Sequence, residues 1–223
     1  MIYIFHEDAS EDFLSIRGET HKYLVKVRRH KVGDIINFRN KKTLQVLYMY
    51  EITEIDARSL ELRLVSSVVK EVQTTKSLHI GWCIIDAKAI EKVLPSLSEI
   101  GVSKISFITC ERSQNNFKLD FSRFERILEA SMQQSGRSTF IEFGTFKNIK
   151  EFIKVYPETK VFDFCENILE NTSKIKTVLL GCEGGFSKEE RVVLSEQENF
   201  RLNTPMVLRS ESAVLAVASK ILL

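Results

Sequence analysis

Three groups of residues in this sequence have types and spacing suited to chemistry. The sharpest lies between Leu179 and Ser187, where Gly181, Gly184 and Gly185 fall within five positions beside Leu180 and Glu183. Glycine accepts positive φ and lacks a Cβ, so a ligand can approach the backbone closely. An apolar strand precedes this loop, and Ser187-Lys188-Glu189-Glu190 has the form of a capping box opening a helix. Ligands of α/β proteins collect at the carboxyl ends of parallel strands, where such a loop would sit. The order G-x-x-G-G is not the dinucleotide fingerprint G-x-G-x-x-G, and no Lys-Ser/Thr follows to make it a P-loop. Taken alone, the stretch also reads as a tight turn between strand and helix.

The second group runs from Leu202 through Val207, Leu208 and Arg209 to Ala213. Pro205 fixes a turn, and Ser210 is placed to cap a final helix with Glu211 in its first turn, where the dipole favours an anion. From Ala213 onward that helix is apolar nearly all round, so it must be buried in the core or against a second subunit. Arg209 and Glu211 then stand as charges at the mouth of a buried element, as functional groups or as a structural ion pair. The third group comprises Glu111-Arg112-Ser113 and Gln134-Ser135-Gly136-Arg137, each with an arginine at an element terminus. There it could reach a phosphate or a stacked base, or simply be solvated.

The net charge of +2 excludes little, but its distribution is uneven. Residues 17–42 hold nine basic side chains against two acidic ones, a local +7 that includes Arg28 and Arg29. Such an excess can neutralise phosphates and release counterions, although a solvated basic face has the same composition. The four cysteines and four histidines are scattered, which predicts reduced thiols and no metal site. No run approaches the length of a membrane span and the first residues lack a signal-peptide pattern, so a cytosolic protein is expected.

The elements that must position these groups divide in two. Residues 1–70 read as short strands (1–5, 34–38, 43–52 and 59–65) with a helical turn at 21–27, the pattern of a small barrel. Residues 70–77 read as a linker. Strands at 78–85, 105–109, 140–143, 160–164, 177–180 and 200–202 then alternate with helices at 87–100, from Ser122, at 149–156, 187–198 and 210–222. That alternation predicts a parallel α/β sheet. Asp86 caps the first of these helices, Gly101 ends it, and Ser122-Arg123-Phe124-Glu125 reads as a capping box for the second.

Taken in order, these segments resemble the bacterial 16S ribosomal RNA uridine N3-methyltransferase family of the SPOUT superfamily. The resemblance spans nearly the whole chain, through His21–Leu24, Val25–Arg29, Lys31–Asp34, Lys88, Ser98–Val102, Glu111–Ser113, Gln134–Arg137, Gly181–Ser187 and Val207–Ala213. The chain departs from the family pattern at Cys182 (usually proline), at Ser212 (usually threonine), and at Leu202–Pro205, where a Leu-Gly turn is usual. The resemblance implies a PUA-like β-barrel RNA-binding domain at 1–70. It further implies a SPOUT methyltransferase domain at 71–223, a parallel α/β sheet whose end is threaded into a trefoil knot. S-adenosylmethionine is the implied cofactor, held by Leu180, Gly181, Glu183, Gly184, Gly185, Leu202, Val207 and Leu208, with Glu166 completing the cradle. Arg209, Glu211 and Arg137 are the implied catalytic residues, and Arg28, Arg29, Arg112 and Arg137 the implied RNA contacts. The implied partners are 16S ribosomal RNA or the small subunit and a second copy of the chain. A non-catalytic RNA-binding or ribosome-assembly factor on the same fold is the competing expectation.

Overall fold

The computed structural model describes residues 2–114, 118–170, 172 and 174–223. The chain divides into two compact units: Met1–Gln73 with Met132–Thr139, and Thr74–Ser131 with Phe140–Leu223.

The first unit is a curled mixed sheet built from β1 (Ile4–Phe5), β2 (Phe13–Arg17), β3 (Ile35–Arg39), β4 (Val46–Ile55) and β5 (Ser59–Val69). Its order is β1-β3-β4-β5-β2, antiparallel except for the parallel β1–β3 pair. Register shifts after Met49 and after Ile52 interrupt the long β4–β5 ladder, and such irregularities bend and twist a sheet. Leu14, Ile16, Phe38, Tyr50, Ile52, Leu60 and Leu62 face the core formed inside the curl. The strands expected at 34–38, 43–52 and 59–65 are present with shifted or longer bounds, and that expected at 1–5 begins at Ile4, Met1 lying outside the described residues. Sequence reading missed β2, whose alternation is confined to five residues with Phe13 facing outward. The helical turn is present as α1 (Gly18–Lys22) followed by a π-helical turn at Tyr23–Val27.

The second unit is a six-stranded, fully parallel sheet. Its strands are β6 (His79–Cys83), β7 (Lys104–Ile108), β8 (Glu142–Phe146), β9 (Lys160–Phe162), β10 (Thr177–Leu180) and β11 (Asn199–Phe200). The order β11-β9-β10-β6-β7-β8 makes β10 the strand inserted between earlier ones. Every residue of β6 is buried, as its continuous apolar run predicts for a strand covered on both faces. Gly81 is required there: a Cβ would fall 2.5 Å from the Phe152 ring.

The helices are α2 (Ala87–Ile100), α3 (Phe121–Ser135), α4 (Ile149–Val155), α5 (Lys188–Val193) and α6 (Ser210–Leu222). Helix α2 matches expectation at both ends, with Asp86 accepting the Lys88 and Ala89 N–H groups and Gly101 at φ 103°. Helix α3 does not start as a Ser122 box. Asp120 caps it, its Oδ1 accepting Arg123 N–H at 3.0 Å, because the helix opens one residue before Ser122. Helix α5 keeps its Ser187–Glu190 capping box but stops at Val193, and only Leu194 of the next five residues is buried to support a longer helix.

Two further corrections concern single residues. Ser210 does not cap α6; Arg209 holds the cap position without a side-chain bond, and the Ser210 hydroxyl is used elsewhere. Four reduced thiols were expected, but Cys83 and Cys110 form a disulfide, with Cα atoms 5.7 Å apart. Cys83 ends β6 and Cys110 lies just past the end of the adjacent β7, a proximity that 27 residues of sequence separation conceal. Helix α6 is buried within its own unit through Ala213, Val214, Val217, Ala218, Ile221 and Leu222, so its apolar character is accounted for without a second subunit.

Candidate active site

The carboxyl ends of β9, β10 and β11 converge on one pocket of about 410 Å³, within the usual range for small-molecule sites. Three stretches line it, one after each strand: Phe162–Phe164, Leu180–Phe186 without Gly184, and Arg201–Arg209 without Asn203, with Ser210 and Ala213 of α6 behind them. This is the crevice that the parallel topology makes available, since loops leave the strands there in different directions.

The glycine loop is held from two sides. Trp82 Nε1 donates to Ser210 Oγ at 2.8 Å, and that hydroxyl donates to the Gly181 carbonyl at 2.7 Å. A relay of buried bonds thus joins β6, the loop and the start of α6. On the other side Arg112 Nη1 donates to the Gly184 carbonyl at 2.6 Å, and Cys182 Sγ donates to the Arg112 carbonyl at 3.1 Å. Burial raises the Cys182 thiol above its ordinary value, which keeps it protonated as that donor. Glu190, the third residue of α5 and the acidic partner in its capping box, also accepts the Glu111 N–H at 2.8 Å.

Within the loop Gly185 N–H closes a turn onto the Cys182 carbonyl at 2.9 Å, and Gly185 adopts φ 65°. A Cβ there would meet only Arg191 Nη2, at 4.0 Å, so this glycine leaves open space beside the pocket. A Cβ on Gly184 would instead press on Arg112 at 3.1 Å. Asp163, after β9, forms a two-bond ion pair with Arg191 of α5. Across the pocket, Thr204 N–H returns to the Leu202 carbonyl at 2.9 Å and Met206 N–H to Thr204 Oγ1 at 3.2 Å. Leu208 and Arg209 follow as the chain enters α6.

Of the expected cofactor residues, Leu180, Gly181, Glu183, Gly185, Leu202, Val207 and Leu208 line this pocket; Gly184 and the exposed Glu166 do not. Arg209 lines it, and Glu211 lies half-buried in the first turn of α6 outside the lining. Arg112 is engaged with the glycine loop. Arg137, Arg28 and Arg29 belong to the first unit. Arg137 is buried, donates through Nε to Thr139 Oγ1 at 3.2 Å, and has its pKa pushed down to about 10 by desolvation. Sequence reasoning missed Phe162, Asp163 and Ser210. Phe162 ends a strand of only three residues and Asp163 follows it, and Ser210 carries the ordinary signature of a helix cap.

A family model described as an RNA methyltransferase domain matches residues 72–222. The chain belongs to that RNA methyltransferase family. Its relatives include a protein named ribosomal RNA small subunit methyltransferase E from Helicobacter pylori, 40% identical over 223 residues with 98% of each chain covered. Another, ribosomal RNA small subunit methyltransferase E 2 of Borreliella burgdorferi, is 28% identical, covering 89% of this chain and 86% of the relative. Among solved structures, a methyltransferase from Legionella pneumophila with bound cofactor SAM superposes with TM-score 0.77 at 21% identity, covering 99% of this chain and 96% of that one. The ribosomal RNA small subunit methyltransferase E of Neisseria gonorrhoeae, bound to S-adenosyl methionine, gives 0.76 at 17% identity with the same coverage. These structures share the fold.

Proposed function

We propose that the protein is an S-adenosylmethionine-dependent methyltransferase acting on N3 of a uridine in 16S ribosomal RNA of the small subunit, and hence works in the cytoplasm. The pocket at the ends of β9, β10 and β11 carries this reading, together with the names of the relatives that align along the full chain. Its residues suit a nucleoside joined to a cation: apolar side chains from Phe162, Leu180, Phe186 and Leu208, glycine backbone at Gly181 and Gly185, and the carboxylate of Glu183. Leu180, Gly181, Glu183, Gly185, Leu202, Val207 and Leu208 would hold the cofactor. When bound it supplies a methyl group on a positively charged sulfur, which must be held and aligned rather than activated.

The substrate asks more of the side chains. Uridine N3 carries a proton that must leave, so Glu211 is the candidate base. Arg209 is the candidate cation for charge on the uracil oxygens. Gly184 and Arg112 act at one remove, through the 2.6 Å bond that fixes the loop.

The reading extends to the architecture. Residues 1–70 would form a PUA-like barrel gripping RNA backbone through Arg28 and Arg29, and residues 71–223 a SPOUT domain with a trefoil-knotted end. A homodimer fits the exposed apolar side chains of Phe164, Met206 and Val207 along the pocket, a surface that a second copy would cover. Calorimetric titration with S-adenosylmethionine tests the assignment. Saturable binding of one molecule per chain is expected, and no heat of binding at millimolar cofactor would defeat it.

A further inference from the structure

The first unit contains a second concavity that this reading leaves unused. A pocket of about 110 Å³ is lined by Tyr3, Tyr23, Leu24, Arg28, His30 and Asn37, among others. The backbone that supplies it is doubly unusual. The turn at Tyr23–Val27 is π-helical, Arg28 N–H donating to the Tyr23 carbonyl at 2.9 Å, and such turns concentrate at functional sites. Arg29 then adopts φ 59°, the left-handed region that is unfavourable for a residue with a Cβ. His30 N–H donates back to the Leu24 carbonyl at 3.1 Å. The strained residue therefore reverses the chain so that its two neighbours, Arg28 and His30, line one pocket.

The polar groups are arranged for contact. His30 Nδ1 lies 3.0 Å from Asp34 Oδ2, which also accepts the Lys31 N–H at 3.0 Å. The Lys31 bond first, and His30 second, hold the Asp34 carboxyl below its ordinary range. That carboxylate orients the imidazole and leaves its other nitrogen for a ligand. Among the described residues neither the Tyr23 hydroxyl nor the Arg28 guanidinium has a hydrogen-bond or ion-pair partner. Leu24 and Ile36 give the pocket apolar surface, and the local charge over residues 17–42 is +7.

A bare phosphate has no use for apolar lining, and a neutral apolar ligand has no use for the surrounding charge. A planar heteroaromatic ring carried on a phosphate chain uses both, through stacking with tyrosine or arginine and hydrogen bonds at its edge. We infer that this pocket takes one unstacked base of the RNA, other than the methylated uridine, with the neighbouring basic side chains on its phosphates. The inference rests on the RNA-methylating function proposed above and makes the first unit a reader of a flipped-out nucleotide as well as a grip on backbone.

The test is an NMR titration of the isotope-labelled full chain with each of the four nucleoside monophosphates, and with ribose 5-phosphate as the control that keeps the phosphate and lacks the base. At least one nucleotide should give saturable shifts at the Tyr23, His30 and Asn37 amides that ribose 5-phosphate does not. Arg28→Ala should weaken that binding roughly tenfold, since the face of this guanidinium meets the base while its N–H edge keeps a phosphate. Arg58→Ala removes an exposed charge outside both the pocket lining and residues 17–42 and should leave the titration unchanged. In methyl transfer to 30S particles, Arg28→Ala should raise KM with kcat preserved, the signature of lost uniform binding. Equal binding of ribose 5-phosphate, equal weakening by the two variants, or no saturable nucleotide would overturn the pocket. Wild-type transfer separates the two possible failures: transfer with a flat titration removes the pocket alone, and no transfer removes the function beneath it.

Discussion

The two units carry their candidate sites in different ways. In the parallel sheet the site is a product of topology: three neighbouring strands end together, and the loops leaving β9, β10 and β11 enclose a cavity. Its side chains are fastened by specific bonds, Trp82 to Ser210 to Gly181 on one side and Arg112 to Gly184 on the other. In the curled mixed sheet the candidate surface is a product of composition, with Arg28 and Arg29 exposed on a turn rich in positive charge. The first kind of site should fail abruptly when one fastening is cut, because its geometry is shared by few atoms. The second should fail gradually, one phosphate contact at a time.

Substitutions can break or sharpen this contrast. The largest effect is expected from Gly185→Val. It forces a branched side chain to φ 65° and fills the open space beside the pocket, so S-adenosylmethionine binding should vanish from calorimetry while circular dichroism stays native. Gly184→Val should act less directly, through Arg112, and its comparison with Gly185→Val locates the cradle. Arg209→Ala comes next. Loss of the cation proposed to act on charge developing in the transition state should lower kcat by about 100-fold or more, with RNA affinity nearly intact in a filter-binding assay.

Ser210→Ala strands a buried indole N–H and the Gly181 carbonyl together. It should destabilise the fold by about 1–3 kcal/mol in urea unfolding and weaken cofactor binding, whereas Ser212→Ala, at an exposed position two residues on, should do neither. The smallest and most graded effect belongs to the first unit. Arg28→Ala with Arg29→Ala should leave cofactor affinity unchanged and reduce the slope of log K for RNA against log salt by about 1.4–1.8, two lost phosphate contacts. An unaltered slope would reduce the basic segment to a solvated face.

Much of this was legible in the sequence, and the misses have physical causes. Helix α2 could be read to the residue because Asp86, its apolar spacing and Gly101 all mark the same boundaries. The Gly181–Ser187 loop stood out because glycines, a buried strand and a capping box occur together. Strand β9 gave little warning of Asp163, since three residues carry no usable period. The role of Ser210 was hidden because its two partners, Trp82 and Gly181, are 128 and 29 residues away, and nothing local distinguishes such a serine from a helix cap. The Cys83–Cys110 bond was hidden for the same reason, as strand neighbours are set by topology and not by spacing. The bond from Arg112 to the Gly184 carbonyl was likewise hidden, because an arginine at a strand end has no sequence mark for an intramolecular partner.

The central claim is methyl transfer to small-subunit RNA, as opposed to RNA binding alone on the same fold. The most direct measurement incubates the purified chain with methyl-labelled S-adenosylmethionine and 30S particles from a methylation-deficient strain, then digests the RNA and identifies the labelled nucleoside. The account predicts label in 16S ribosomal RNA, recovered as N3-methyluridine from a single site and absent with Gly185→Val. RNA that binds the chain but gains no label, or label on a ribose hydroxyl or a base other than uracil, would contradict it.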